Sequence, residues 1–323
     1  MARETFGTGW IAVETGDVAI QALMTNSATE ALARPEPMKT DTKQVPRSGE
    51  FDISSVAKGA SYTETTGVND YVQLTARKAG GVLRVAEEDI TDTGPDVLAT
   101  KRVGAARNMA KFFDNSTLGT SGTENGTTIL YTSVYKALRT TNSASGAFAY
   151  TADANYRAIN FSTTASGAAG YIALSNVLAV YEQGDFYDEG NTIIIASPFW
   201  KQAFRNVVDA QGRPIFHEST DQGKPTATLF GFPVTWSMGA RVSGTNTSRP
   251  TGNPLLVIGN RDFLFKGMAN LSAQIATPNP GFAIQRAANG VGFLTDEALM
   301  KAAMRRGFVL GTENAFVIAE KTG

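Results

Sequence analysis

The stretch from Tyr71 to Val85 alternates apolar and polar residues, and the rest of the chain is organised around it. Its apolar positions form two sets: Val72, Leu74 and Ala76, then Val82, Leu83 and Val85. A repeat of two residues is typical of a β-strand that turns one face toward the protein interior. We therefore predict a strand in this stretch, as part of a long two-stranded arm that spans residues 51 to about 86.

The repeat changes to that of a helix after Thr93-Gly94-Pro95-Asp96. Thr93 or Gly94 can cap this helix, Pro95 suits its first turn, and the charge of Asp96 complements the positive end of the helix dipole. Apolar and small residues then recur every three to four positions, which places them along one helix face. The predicted core face comprises Ala99, Val103, Ala106, Met109, Ala110 and Phe113.

The segments before the predicted strand and after the predicted helix have less regular sequence patterns. Apart from a short helix around residues 17–33, we predict that residues 1–51 form an extended arm, because Arg34-Pro35-Glu36-Pro37 and Pro46 stop a helix from continuing. Residues 118–166 are rich in Gly, Ser, Thr and Asn, and we predict loops and short irregular elements there.

A regular α+β pattern returns in the second half of the chain. A helix that ends at Gly184 precedes the β-branched run 192–196, which is typical of a buried central strand. Another helix follows, with Trp200 and Phe204 among its apolar positions. Further strands are predicted at 255–260 and 315–319 and within 229–236 and 263–276.

The amino-acid composition indicates a protein with a sizeable core and little net charge. A chain of 323 residues with 42% hydrophobic residues can bury a sizeable core. The 29 Lys and Arg residues nearly balance the 30 Asp and Glu residues, so no global basic field attracts nucleic acid or a membrane surface. Charged residues make up only 18% of the chain, which suits a surface largely covered by copies of the same protein.

Residues for common catalytic and metal sites are scarce. The chain has no cysteine, which excludes disulfides, thiolate metal sites and cysteine nucleophiles. His217 is the single histidine, so metal sites built from several histidines cannot form. Gly223-Lys224 is followed by Pro225 and lacks the glycine spacing of a phosphate-binding loop. We therefore expect no enzymatic activity, no catalytic or metal-binding residues and no cofactor.

The order of the segments around the predicted helix carries a resemblance. A small-residue loop at 57–65 is followed by a strand ending at Lys78, an apolar strand at 82–85, the acidic Glu87-Glu88-Asp89, the helix from about Asp96 and a Gly/Thr-rich turn at 119–126. This order resembles the major capsid proteins of tailed double-stranded-DNA phages, whose long helix is called the spine helix. The segment Leu229-Phe230-Gly231-Phe232-Pro233-Val234 resembles a strand entry of the same family.

The resemblance implies the α+β phage major-capsid-protein fold. Its expected parts are an N-terminal arm (1–51), an extended β-hairpin loop (52–86), a peripheral domain with the spine helix (87–130 and 262–306), and an axial domain with a central sheet flanked by helices (131–261 and 307–323).

The resemblance also implies a structural function. Copies of the chain would assemble into pentamers and hexamers of an icosahedral head that encloses double-stranded DNA without sequence-specific binding. Expected partners besides itself are a separate scaffolding protein, a portal and, as an open alternative, a decoration protein; the chain would assemble in the host cytoplasm and reside in the virion. The expected inter-subunit contacts in the extended loop are Lys58, Tyr62, Glu64, Val72, Leu74, Arg77, Lys78, Val82 and Arg84.

Two alternatives stay open at this point. An encapsulin-type shell protein shares the fold but holds a cargo enzyme. A soluble α/β enzyme acting through carboxylates would need a deep pocket with at least two convergent acids. No apolar run reaches the length of a membrane span, so no membrane association is expected.

Overall fold

The computed structural model describes residues 27–51, 53–64, 67–92, 97–161, 168–219, 226–269, 281–285 and 297–322. The helices are α1 (Ala28–Leu32), α2 (Glu87–Asp92), α3 (Val97–Asp114), α4 (Val134–Leu138), α5 (Ala168–Glu182) and α6 (Lys201–Arg205). The strands are β1 (Arg34–Met38), β2 (Thr42–Ser48), β3 (Asn69–Ala86), β4 (Tyr156–Asn160), β5 (Thr192–Ala196), β6 (Phe216–Ser219), β7 (Thr226–Leu229), β8 (Phe232–Trp236), β9 (Leu255–Asn260), β10 (Leu264–Ala269), β11 (Gly281–Gln285), β12 (Glu297–Leu310) and β13 (Phe316–Thr322).

The first of two sheets is built around the long strand β3. Its strand order is β1-β10-β12-β3-β2, and β11 lies beside β12. Antiparallel β12 pairs with β3 from Ala76 to Ala86, while β2 pairs with β3 only from Asn69 to Thr75. The two halves of β3 therefore have different neighbours. Residues 34–48, which the sequence assigned to an arm, supply the strands β1 and β2 of this sheet.

An extended hairpin is present, and its strands are β2 and β3. The strand predicted at 71–85 is present as β3, which runs unbroken through Gly80-Gly81, but its hairpin partner β2 lies before the predicted arm at 51–86. Gly80 serves a close approach of backbones: an added Cβ there would lie 2.3 Å from the carbonyl oxygen of Ala302 on β12. Gly80 therefore permits close strand packing and does not mark a turn.

The second sheet has the order β4-β13-β9-β5-β8-β7-β6, and its central strands β5 and β9 are buried along their whole length. Along β5, Ile193 and Ile195 pack into one apolar cluster while Ile194 and Ala196 pack into another on the opposite face. This explains the uninterrupted β-branched run, because both faces of a central strand meet apolar neighbours. The predicted buried strand at 192–196 is confirmed. In 118–166 the structure contains α4 and β4, which the polar composition did not predict.

One apolar cluster joins the two sheets. Phe113 of α3 is buried with Leu264 of β10 and Phe308 of β12, and the same cluster includes Ile193 of the second sheet. The ring of Tyr131 packs edge-on between Phe113 and Phe308, with centroid distances of 6.2 and 6.0 Å. The end of the long helix is therefore fixed against both sheets.

Candidate assembly interface

The hairpin of β2 and β3 carries a loop that projects from the first sheet. The loop base is closed by the Gly49 N–H, which donates to the Val68 carbonyl at 2.8 Å. Residues 53–64 contain no helix or strand, apart from a tight turn in which Gly59 has φ of +86°. That backbone conformation is open to glycine at little cost, so the sequence permits the turn.

The loop exposes large apolar side chains to solvent. Phe51 is 65% exposed, Ile53 88% and Tyr62 85%. A monomeric soluble protein rarely leaves several such side chains uncovered in one segment, and such patches mark interaction sites. The loop therefore has the surface properties of a contact that is completed by another molecule.

Arg47 at the loop base joins the two hairpin strands to segments outside the hairpin. Arg47 on β2 donates two hydrogen bonds to Asp70 on β3, at 2.6 and 2.5 Å. Its third nitrogen donates to the carbonyl of Gly311 at 2.7 Å, and its guanidinium stacks 4.6 Å from the ring centroid of Phe148. A planar fork suits such simultaneous contacts better than a lysine would. The base of the loop is thus rigidly placed while its far end is exposed.

The predicted contact residues differ in how far the structure exposes them to solvent. Lys58, Tyr62, Glu64, Lys78, Val82 and Arg84 are exposed, whereas Val72 and Arg77 are half-buried. Arg77 pairs with Glu124 at 3.0 Å, and Arg84 with Glu297 at 3.2 Å. Both arginines therefore also contribute contacts within their own subunit.

Leu74 is a correction to the predicted contact set. Its side chain is completely buried in a small cluster with Met38, Ala76 and Phe265. Val45 of β2 and Val309 of β12, from the strands on the two sides of β3, pack against this cluster. Leu74 therefore stabilises the subunit and is not available to a neighbour.

Among the described side chains of the predicted core face of the spine helix α3, burial increases toward the end of the helix. Phe113 is buried, Met109 packs partly against the core and Ala110 is half-buried. Val103 is 44% exposed and Ala106 is also exposed in the single chain, so these two do not belong to its core face. The side chain of Ala99 lies outside the described residues. Around Val103 and Ala106 the helix therefore exposes apolar surface in the single chain.

A buried carboxylate at the end of α3 was not predicted. Asp114 accepts hydrogen bonds from the hydroxyls of Ser27 and Ser237, both at 2.5 Å, and from the backbone N–H groups of Ala28 and Thr29 at 3.0 and 3.1 Å. Burial raises the pKa of Asp114, while these four donors act in the opposite direction. One side chain thus joins the N-terminal segment, the spine helix and the second sheet.

The N-terminal segment has a second anchor a few residues later. Glu30 pairs with Arg306 of β12 at 3.2 Å and with Lys266 of β10 at 3.7 Å. The backbone carbonyl of Arg306 also accepts the hydroxyl of Tyr131 at 2.6 Å. The segment that begins at Ser27 is therefore fastened to the body of the subunit and is not a free arm.

A cleft of about 430 Å³ lies beside the loop base. Its carboxylates are Asp70, Glu124 and Glu313. Each accepts a hydrogen bond within the chain, from Arg47, Arg77 and Asn142 respectively. These acids serve as structural acceptors around the hairpin. Within the described ranges, no group of three or more His, Asp or Glu residues is placed to hold a metal ion.

The comparison with protein families decides the identity. A model of the phage capsid family matches residues 7–321. The chain belongs to the phage capsid family. It is a structural major capsid protein, and its place is the capsid of the virion. Family membership favours this function over the encapsulin and enzyme alternatives.

Solved structures share the fold of this capsid protein at low sequence identity. One, described as the capsid of a native GTA particle, is 14% identical with a TM-score of 0.68, and the match covers 98% of this chain and 97% of the other. A structure from Mycobacterium phage Ogopogo is 13% identical with a TM-score of 0.69 and 98% coverage of both chains. One from Microbacterium phage Oxtober96 is 14% identical with a TM-score of 0.66 and 97% coverage of both.

These matches support the α+β capsid fold across nearly the whole chain, as the order of sequence segments predicted. A search of curated proteins gave no match. Among the described helices of the capsid protein, none is long and apolar enough to cross a membrane.

Proposed function

We propose that this capsid protein assembles into pentamers and hexamers of an icosahedral head around double-stranded DNA, and that the loop at 53–64 makes a recurring contact between neighbouring subunits. The observation that carries the proposal is the exposure of Phe51, Ile53 and Tyr62 on a loop whose base is rigidly held. Every subunit carries the same loop, so one loop-to-neighbour contact repeats around each ring.

The geometry of such a contact favours closed assemblies. The loop of one subunit engages a different surface of the next, which is a head-to-tail contact that forms a ring when the rotation closes. Individually modest contacts then add up, because each subunit is held by several neighbours at once. A separate scaffolding protein, a portal and assembly in the host cytoplasm complete the proposal.

Electron microscopy of the purified chain tests this function directly. Expressed with a scaffolding protein from the same phage, the chain is expected to form closed shells with five-fold and six-fold clusters. Size-exclusion chromatography coupled to light scattering would give the subunit number in parallel. A protein that remains monomeric under all such conditions would contradict the proposal.

The enclosed DNA is expected to be held without sequence-specific recognition. The formal net charge of −1 provides no attractive field for phosphates. We therefore predict that the unassembled subunit binds duplex DNA no more tightly than about 10⁻⁴ M at physiological salt, the weak end of non-specific binding. Fluorescence anisotropy with two unrelated labelled duplexes checks this; tight binding to one duplex that survives high salt would contradict it.

A further inference from the structure

The second half of β3 has a free edge. Residues 77–86 pair with β12 on one side. On the other side β2 ends opposite Thr75, and the last contact there is the Ala76 N–H, which donates to the carbonyl of Asp41 at 2.7 Å. Beyond it, no strand in the described parts of the chain pairs with this edge. A row of unpaired peptide groups is a template for another strand.

The end strands β1 and β2 of the first sheet are protected against pairing with a further strand, whereas the free edge of β3 is not. Both β1 and β2 contain prolines, at Pro35, Pro37 and Pro46. Proline removes an N–H and discourages pairing at a sheet edge. The free part of β3 has no proline, and it exposes Val82 by 64% and Leu83 by 36%. This edge is therefore left competent for pairing, with apolar side chains ready to be covered.

Residues 51–56, which we call the first limb of the loop, have the properties of a strand that could pair with this edge. Phe51 and Ile53 are two residues apart and exposed, which is the spacing of neighbours on one face of a strand. The structure contains no backbone hydrogen bond from the described residues of 51–56 to another described segment. This limb has the residue types of a strand without a partner strand.

The limb cannot reach the free edge of its own subunit. Val82 lies thirteen residues beyond Asn69, about 43 Å along a strand at about 3.3 Å per residue. Ile53 lies four residues from Gly49, which is bonded next to Asn69, and can reach about 14 Å at most. Any pairing between these two segments therefore involves two copies of the chain.

We propose that residues 51–56 of one subunit add as a β-strand to the free edge of β3, between residues 79 and 85, of the neighbouring subunit. This inference rests on the proposed function and names the surface that receives the loop. Backbone hydrogen bonds supply the adhesion in such strand addition, and side-chain contacts set the register. Phe51 or Ile53 would then cover Val82 or Leu83, according to the register.

The absence of native cysteine makes disulfide trapping a clean test. Ile53→Cys is combined with Val82→Cys in one variant and with Leu83→Cys in another, because a shift of one residue reverses the face of a strand. Paired strands hold opposite Cα atoms about 4.5–5.5 Å apart, within the range that a disulfide spans.

We expect assembled shells of one of the two variants to give ladders of linked subunits on a non-reducing gel after mild oxidation. Each single-cysteine variant and the unassembled double variants should run as monomers. A matched control combines Ile53→Cys with Ile284→Cys on β11, the strand on the opposite side of β12. Linkage only with the control would overturn the proposal.

Two further outcomes separate this inference from the proposed function. Intact shells without linkage in either variant, or in the matching variants that carry Phe51→Cys in place of Ile53→Cys, would reject the strand addition and leave assembly itself supported. Failure of the unaltered chain to form shells would reject both.

Hydrogen–deuterium exchange on the unaltered chain gives a readout that needs no substitution. Amides within 79–85 that face the free edge should exchange at least tenfold more slowly in shells than in free subunits. Equal exchange in the two states would also overturn the proposal.

Discussion

Deleting residues 53–64 should leave a folded subunit that no longer forms closed shells. The described residues of this segment belong to none of the apolar clusters of the subunit, and the loop base remains closed by Gly49 and Val68. The free energy of unfolding should change by about 0.5 kcal/mol or less, as is usual for surface changes away from packing contacts. Shell formation should be lost, since every subunit loses a contact that repeats around each ring. Urea unfolding followed by circular dichroism, together with electron microscopy, measures both effects.

A second variant distinguishes the effect of the loop's side chains on assembly from the effect of its length. Replacing residues 53–64 by a Gly/Ser sequence of equal length keeps the spacing but removes Ile53 and Tyr62. If the side chains make the contact, this variant should fail to assemble like the deletion. An unfolded deletion variant would place the loop in the core of the subunit, and intact shells from both variants would place the inter-subunit contact elsewhere.

Asp114→Ala should strongly destabilise the subunit. The substitution leaves the backbone N–H groups of Ala28 and Thr29 buried without an acceptor, at about 1–3 kcal/mol each, so we expect a loss of about 2–6 kcal/mol. Asp114→Asn should cost less but not be neutral. Each carboxylate oxygen faces one of these N–H groups, so the amide nitrogen must oppose one of them in either orientation.

Urea unfolding of the unassembled subunit measures this loss. Asp92→Ala provides the control, because Asp92 is an exposed carboxylate at the end of α2 and its removal should change stability by less than about 0.5 kcal/mol. Equal stability of the Asp114→Ala and control variants would mean that the junction of N-terminal segment, spine helix and second sheet is held elsewhere.

The type and order of the main elements follow from the sequence pattern alone. The change of repeat near residue 93 separates β3 from the spine helix, and the β-branched run 192–196 identifies a strand buried on both faces. These signals are local, because side-chain periodicity follows directly from backbone geometry. Their order along the chain also carried the resemblance to the phage capsid family, which the family comparison supports over residues 7–321.

Which strand and helix faces are covered, and by which residues, depends on the tertiary structure. A repeat of two residues indicates that Leu74 and Val82 lie on strand faces, but neighbouring strands bury the first and leave the second exposed. The donors to Asp114 come from residues 85 to 123 positions away, so no local pattern predicts them. Pairing of β3 with β2 and β12 is likewise non-local. Burial and polar pairing arise between distant segments, and the sequence pattern of one segment does not contain its partner.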